Sequence, residues 1–441
     1  MEAGVHHHSL VSRSTEGATG LLLESDGVTG GANLSTPPRS GELIDLPQAR
    51  RLTAFAFLLM AEFFYGWAWN TVDVLRPLFQ ASLGLSLTQA GSAYSAQGAG
   101  ALIGAITIGQ LADRLGRRNM LVVVMMGYGV FLITGVLVTN YVELLLQRFV
   151  LGLFLGGSFP VVVGIYVELF KPNLRGKLAS AINTTFSSAV IFLGLAFGHL
   201  GHRNWHLLLW LGGIPPIVLA GLAYLAVPTS KEKPSGGEKA KIPIAELFAP
   251  AFRRQTMLLA LLMGLNFFAY QAFSGWVTTY LQNVRLLPLS SIGHLITAQF
   301  GGNMLGGFFW GWAADRRGRR FGAIGFFVTA AVIVSYLTVP TIMVLLAVLG
   351  FLYGFALSAS VTWGPWLAEL YPPHLKSTAS SIFNWGRIIS FFAPLITGTL
   401  AMHFGLRGSM LVSSVTFVGA AFIWLRLPET LQMQPVAASG A

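Results

Sequence analysis

Twelve apolar runs follow one another along the chain, each near the roughly 20 residues a helix needs to cross a bilayer. They lie near 53–78, 89–111, 119–139, 142–168, 178–200 and 207–227, then near 255–281, 290–313, 321–339, 341–368, 377–400 and 409–427. Polar stretches separate them into an expected tail at 1–50, a six-helix bundle over 51–228, a linker at 229–254, a second bundle over 255–428 and a short tail at 429–441. The pattern predicts an all-α membrane protein with twelve transmembrane helices in two six-helix halves.

The polar positions between the runs repeat. Gly109-Gln-Leu-Ala-Asp113-Arg114-Leu-Gly116-Arg117-Arg118 follows the second run, and Gly311-Trp-Ala-Ala-Asp315-Arg316-Arg-Gly318-Arg319-Arg320 follows the eighth, 202 residues later. Glu168 precedes Arg175 by seven residues, and Glu369 precedes Lys376 by the same interval. A duplicated set of charged hinges on one face of a membrane bundle is how many secondary carriers are built.

Composition agrees. The chain has 441 residues, of which 54% are hydrophobic and 10% charged, with a mean hydropathy of +0.65. Soluble domains carry about 25% charge, and single cores stop growing near ~250–300 residues, so the surplus apolar surface must meet lipid. There is no cysteine, which excludes disulfides and thiol chemistry. The net charge of +11 does not mark nucleic-acid binding. With both termini placed in the cytosol, 22 of the 28 Lys and Arg fall on the cytosolic side and four outside, which is a topology signal. The first fifty residues lack the apolar core of a secretory signal and read as a disordered cytosolic tail. His6-His7-His8 within it is a weak metal tract.

Charges inside apolar runs are expensive and therefore point to function. Glu62 and Asp73 are eleven residues apart, close to three helical turns, so they share one face of the first helix with Tyr65, Trp69 and Arg76. Asp73 and Arg148 lie within about 10 Å of the outer surface, which makes an Asp73–Arg148 pair an expectation. Arg387 lies about 16 Å into the eleventh run, near mid-bilayer, where a permanent cation needs an anionic partner. No acid of the second half lies at that depth, so the substrate is one candidate partner. The other reading is a structural arginine bonded to backbone carbonyls and to Asn384 or Ser390. Amides and rings on the same runs (Asn266, Tyr270, Gln271, Gln299, Asn303, Asn384, Trp385) suit a cavity for a planar organic anion. Trp363 and Trp366 belong to the same pattern. His294 is a further proton carrier to weigh. Glycines at 98, 100 and 104 and at 302, 306, 307 and 311 read as helix-packing seams, and Gly109 as a point of close approach.

The doubled Gly-x-Leu-Ala-Asp-Arg-x-Gly-Arg-Arg cassette resembles the signature of the major facilitator superfamily. The resemblance implies alternating access, with gate residues Asp113, Arg114, Arg117, Arg118, Asp315, Arg316 and Arg319 meeting Glu168, Arg175, Glu369 and Lys376 when the carrier faces outward. It also implies that the first and fourth helices line the cavity. Within the superfamily, Arg148-Phe-Val-Leu-Gly152 with Gly156, Gly157, Pro160, Glu168 and Arg175, and Pro77 to Gly91, are similar to bacterial aromatic-acid proton symporters. Those carry Asp-Gly-x-Asp in the first helix, where this chain reads Tyr65-Gly66-Trp67-Ala68. The proton role then falls to Glu62, Asp73 with Arg148, or His294. The resemblance implies a monomeric, proton-coupled importer of a small organic, aromatic carboxylate in a bacterial inner membrane, with no cofactor beyond the proton and no enzymatic reaction. A sugar or polyol carrier and a drug antiporter stay open beside it. No Gly-x4-Gly-Lys-Ser/Thr is present, so no ATP hydrolysis is implied.

Overall fold

The computed structural model describes residues 46–229, 244–372, 375, 379 and 382–431. Most of the expected N-terminal tail, with its three histidines, most of the linker and residues 432–441 lie outside the described residues. So do Lys376 and the side chains of Asp113, Asn384 and Trp385.

The described chain is helical throughout. It contains α1 (Gln48–Val74), α2 (Arg76–Ser82), α3 (Leu87–Leu115), α4 (Arg117–Ile133), α5 (Tyr141–Leu169), α6 (Pro172–Asn204) and α7 (His206–Ala226). Within the expected linker lies α8 (Ile244–Leu247), followed by α9 (Arg253–Phe273), α10 (Val277–Asn283), α11 (Leu289–Arg317), α12 (Ala323–Thr338), α13 (Met343–Leu357), α14 (Trp363–Leu370) and α15 (Ile382–Arg426). Among the described residues, nine helical stretches are long and apolar enough to cross a membrane, so the protein is a multi-pass membrane protein. Helices α3 and α11 match them in length, at 29 residues each, but are not among the nine. Glycines and amides dilute their hydropathy. The expected eleventh and twelfth runs form one helical stretch, α15, broken only at Gly405 (φ 70°).

Local chemistry sets the boundaries. Ser86 opens α3 with a reciprocal capping box to Gln89, and the Asn140 side chain caps α5 at the Glu143 N–H. The two cassettes end their helices alike. Gly116 and Gly318 adopt φ of 92° and 95°, a region open to glycine, and donate to Ala112 and Ala314 carbonyls at 3.0 Å each. The repeated glycine is thus a turn between antiparallel helices. Gly109 and Gly311, by contrast, meet nothing within 4 Å, which corrects the expectation of close approach there. The cassette ends of α3 and α11 stand clear of any neighbour at those points.

Packing also repeats. Helix α3 lies on α5 and α11 lies on α13, both through backbone contact at small residues. A methyl group on Gly104 would overlap the Leu153 carbonyl, and one on Gly354 the Gln299 carbonyl. Without water to drive association, such close approach supplies the packing energy between membrane helices. Gly354→Ala should therefore lower the melting temperature of the purified protein, at a cost of about 1–3 kcal/mol for overpacking. Gly307→Ala, where nothing lies within 4 Å, is the control. Equal melting temperatures for the two variants would refute the seam.

Candidate functional site

A cavity of about 360 Å³ lies between the first and second halves of the sequence, within the usual size for a small-molecule site. Its walls come from α1, α3, α5 and α6 on one side and from α9, α11, η-turn residues after α13, and α15 on the other. Glu62, Tyr65, Trp69 and Asp73 all line it, so the three-turn spacing along α1 does place one polar face on the cavity. Asn266, Tyr270, Asn303 and Arg387 face it from the second half.

Arg387 is held among rings and polar groups of both halves. Its guanidinium lies 6.0 Å from the Trp69 ring and 5.4 Å from the Phe267 ring. It lies within electrostatic reach of Tyr65 and Glu62. The acid at matching depth therefore exists, but on the first half of the chain, where a search within the second half misses it. Ser390 donates to the Arg387 carbonyl at 2.6 Å, so it fixes the main chain and not the guanidinium. Asn266 is 5% exposed, and its Oδ1 is buried without a hydrogen bond among the described residues. An unsatisfied acceptor in a cavity is a site for a donor that arrives with the ligand.

The end of the cavity remote from the cassettes is sealed by polar contacts. Asp73 accepts from Arg76 at 2.6 Å, three residues along its own chain, and from Gln271 Nε2 at 2.8 and 2.9 Å across the halves. Thr278 donates to the Asp73 carbonyl at 2.7 Å, and the Arg76 guanidinium sits 4.5 Å from the Trp276 ring. Arg148 donates to Thr71 Oγ1 at 3.0 Å and lies near Asp73 without bonding it, so the expected Asp73–Arg148 pair is replaced by Asp73–Arg76. Arg76, on the same face of the first run in sequence, is fully buried.

Other expected site residues go elsewhere. Gln271 and Gln299 are committed to partners at the sealed end, Gln299 donating to Ser274 at 2.9 Å. Exposed His294 faces His199 edge-on at 6.4 Å, outside the cavity lining, which counts against its proton role. Trp363 and Trp366 are fully buried against Trp424 and do not line this cavity. Sequence reading passed over Tyr94, Asn183, Phe186, Phe267 and Phe391, all on the wall. A polar or aromatic residue one turn from a seam glycine, as Tyr94 stands to Gly91 and Gly98, was the available signal.

At the cassette end, the ion pairs among the described residues join groups of the same half. Arg117 pairs with Glu168 and donates to the Gly164 carbonyl at 3.1 Å. Arg319 pairs with Glu369 at 2.7 Å and Asp315 at 2.8 Å. Arg175 instead donates to the Val167 carbonyl at 2.8 Å, which departs from the expected pairing with the cassette. Arg118 covers the Tyr224 ring and Arg316 the Trp312 ring, and Arg114 is exposed. Sequence reading also missed Glu429, whose carboxylate accepts the Arg319 and Arg320 N–H groups at 2.8 and 2.9 Å. Burial pushes that carboxyl up, but the backbone N–H groups of Arg320, Arg319, Leu431 and Thr430 outweigh it and hold it below the ordinary carboxylate range.

These features meet independent comparisons. The cis,cis-muconate transport protein of Acinetobacter baylyi is 26% identical over 358 residues, covering 78% of this chain and 84% of that protein. The gallate transporter of Pseudomonas putida is 26% identical over 400 residues, covering 81% and 88%. In fold, the chain is similar to the crystal structure of a bacterial homologue of the human lysosomal transporter Spinster. That match has a TM-score of 0.71 at 16% identity, over 86% of this chain and 97% of the other. A sequence model described as Major Facilitator Superfamily matches residues 58–291 and 286–440. With its all-helical fold, duplicated cassettes and central cavity, this chain belongs to the major facilitator superfamily, and is a secondary transporter working by alternating access rather than an enzyme.

Proposed function

We propose that the protein imports a small organic anion, an aromatic carboxylate, together with protons across a bacterial inner membrane. The observation that carries this reading is Arg387, a cation between the Trp69 and Phe267 rings on the cavity wall. A guanidinium matches a carboxylate in a bidentate fork, and flanking rings match a flat substrate body. The named relatives carry muconate and gallate, both organic acids, which supports the same class. Asn266, Tyr270, Asn303, Tyr65 and Trp69 would surround the substrate, with Asn384 and Trp385 beside Arg387 in sequence. Glu62 would carry the proton.

In this reading α3, α11 and the two parts of α15 join the other helices as twelve spans in two bundles, 51–228 and 255–428, with both termini and the 229–254 linker in the cytosol. The cassettes then mark the cytosolic face, and the contacts at Asp73 close the outer end. In the same reading this is the inward-facing state. Gate residues Asp113, Arg114, Arg117, Arg118, Glu168, Arg175, Asp315, Arg316, Arg319, Glu369 and Lys376 would act at the cytosolic ends as a charged latch that opens and closes as the halves rock. One chain holds the whole cavity, so a monomer suffices.

A second reading has a specific support. Asn70, Asn183, Asn266 and Asn303 all line the cavity, a set that also suits the hydroxyls of a sugar or polyol. Purified protein in proteoliposomes, acidic outside, separates the two. We expect accumulation of labelled gallate or benzoate and none of D-xylose. Accumulation of xylose without the acids would replace the anion reading.

A further inference from the structure

Glu62 and Arg387 line the same cavity from opposite halves, so their relation changes whenever the halves rock. Glu62 is 3% exposed, and its Oε2 is buried without a hydrogen bond among the described residues. The titratable groups facing it are Arg387 from α15, Tyr65 from its own helix and Tyr128 from α4. The Tyr128 hydroxyl is committed to the Ala61 carbonyl at 3.0 Å, and Tyr65 lies within electrostatic reach of Arg387. Arg387 is thus the cation that faces Glu62. The other buried acid on the cavity, Asp73, has Arg76 at 2.6 Å, with Gln271 completing its hydrogen bonds.

A transported carboxylate brings a second negative charge to the same guanidinium. Two carboxylates beside one cation in a water-poor cavity leave one charge unbalanced, and protonating one of them relieves it. We propose that Glu62 and the substrate carboxylate alternate as the counter-charge of Arg387, so that binding the anion places one proton on Glu62. The proposal rests on the organic-anion reading above and adds the coupling step to it.

Charge and atoms balance in both loaded and empty states. Empty, the Glu62 carboxylate faces the Arg387 guanidinium and the pair is neutral. Loaded, the substrate carboxylate faces Arg387 while Glu62 holds a proton taken from the same compartment, and the set is again neutral. On release the anion leaves, the proton passes from Glu62 to the receiving compartment, and Glu62 returns to Arg387. The two half-loaded states, anion alone or proton alone, carry one uncompensated charge and are disfavoured in the closed, low-dielectric intermediate. A monovalent acid therefore crosses with one proton and no net charge.

The test uses the full chain in lipid nanodiscs with benzoate and gallate as probes. Calorimetry in buffers of different ionisation heat counts protons taken up per anion bound. In the wild type, uptake should rise toward one proton per anion as the pH rises from about 6 to about 9, while affinity falls toward tenfold per pH unit. Glu62→Gln should still bind both anions, with no proton uptake and pH-independent affinity, and Glu62→Asp should restore the uptake. In proteoliposomes, a pH gradient should drive benzoate accumulation and a potassium diffusion potential alone should not. Unchanged proton uptake in Glu62→Gln overturns the exchange at Arg387 while leaving the anion reading intact, provided Arg387→Ala abolishes binding. Absence of binding of both probes by the wild type sinks the anion reading and the proposal together.

Discussion

Arg387→Ala should raise the concentration of benzoate or gallate needed for half-maximal uptake by about 30-fold or more. Losing a charge-assisted contact to a buried carboxylate costs roughly 2–5 kcal/mol, and each 1.4 kcal/mol is about tenfold. The effect should exceed that of truncating any uncharged wall residue, because the cation supplies both charge and planar geometry. Arg387→Lys keeps the charge and loses the fork, so it should fall between alanine and wild type. Benzamide, the neutral counterpart of benzoate, provides the control in a binding assay. Should Arg387→Ala weaken benzoate and benzamide alike, the residue is a structural support for Trp69 and Phe267, and the polyol reading becomes the better account.

The second large effect concerns the sealed outer end. Asp73 is the counter-charge of Arg76, and Arg76 is fully buried at the end that we propose faces outward. Removing one partner of a buried ion pair costs about 3–5 kcal/mol, because the other charge is left without compensation. Opening the outer end hydrates Arg76, so the penalty of Asp73→Ala falls on the closed state. We expect the balance to shift toward outward-facing by more than about 100-fold. Gln271→Ala removes the two bonds to the Asp73 carboxylate from the second half, leaving the ion pair and the Thr278 bond, so its shift should be nearer tenfold. The chain contains no cysteine, so spin labels can be placed cleanly at Leu137→Cys and Val284→Cys, both exposed at the helix ends remote from the cassettes. Longer interlabel distances in both variants are expected from pulsed electron resonance. Unaltered distances in both would show that Asp73 does not hold the closed end.

The parts of this molecule written in local pattern were open to reading from sequence. The spacing of Glu62 and Asp73 puts both on the cavity because helical geometry is the same in lipid and in water. The cassette glycines end their helices because few other residues accept φ near 90°. Rotation of a helix about its axis is harder to read. In a membrane both the lipid face and the packed face are apolar, so the hydropathy of Trp363 and Trp366 does not tell a core position from a cavity wall. The partners of Asp73 and Arg387 were hidden for another reason. Arg148 and Arg76 are both close enough in depth to serve Asp73, and depth alone does not decide between a neighbouring helix and a residue three positions along. Glu62 and Arg387 are separated by 325 residues, and nothing local to either names the other. Gln271 and Gln299 read as substrate amides because their types suit a ligand. Their actual partners, Asp73 and Ser274, are visible only once the helices are side by side.

The carboxylate of Glu429 has a mechanical meaning. It clamps the turn after Gly318, while the position 200 residues earlier is Thr229, whose hydroxyl is buried without a hydrogen bond among the described residues. Arg320 adds a bond to the Leu427 carbonyl and Trp366 one to that of Pro428, so the second cassette is tied to the chain after α15 at several points. Two halves copied from one design have thus acquired unequal compliance. Under the same thermal agitation the cytosolic end of the first half should bend and that of the second should swing as a stiff lever. The carrier would then behave less like a pair of matched jaws than like a hinged door against a fixed frame.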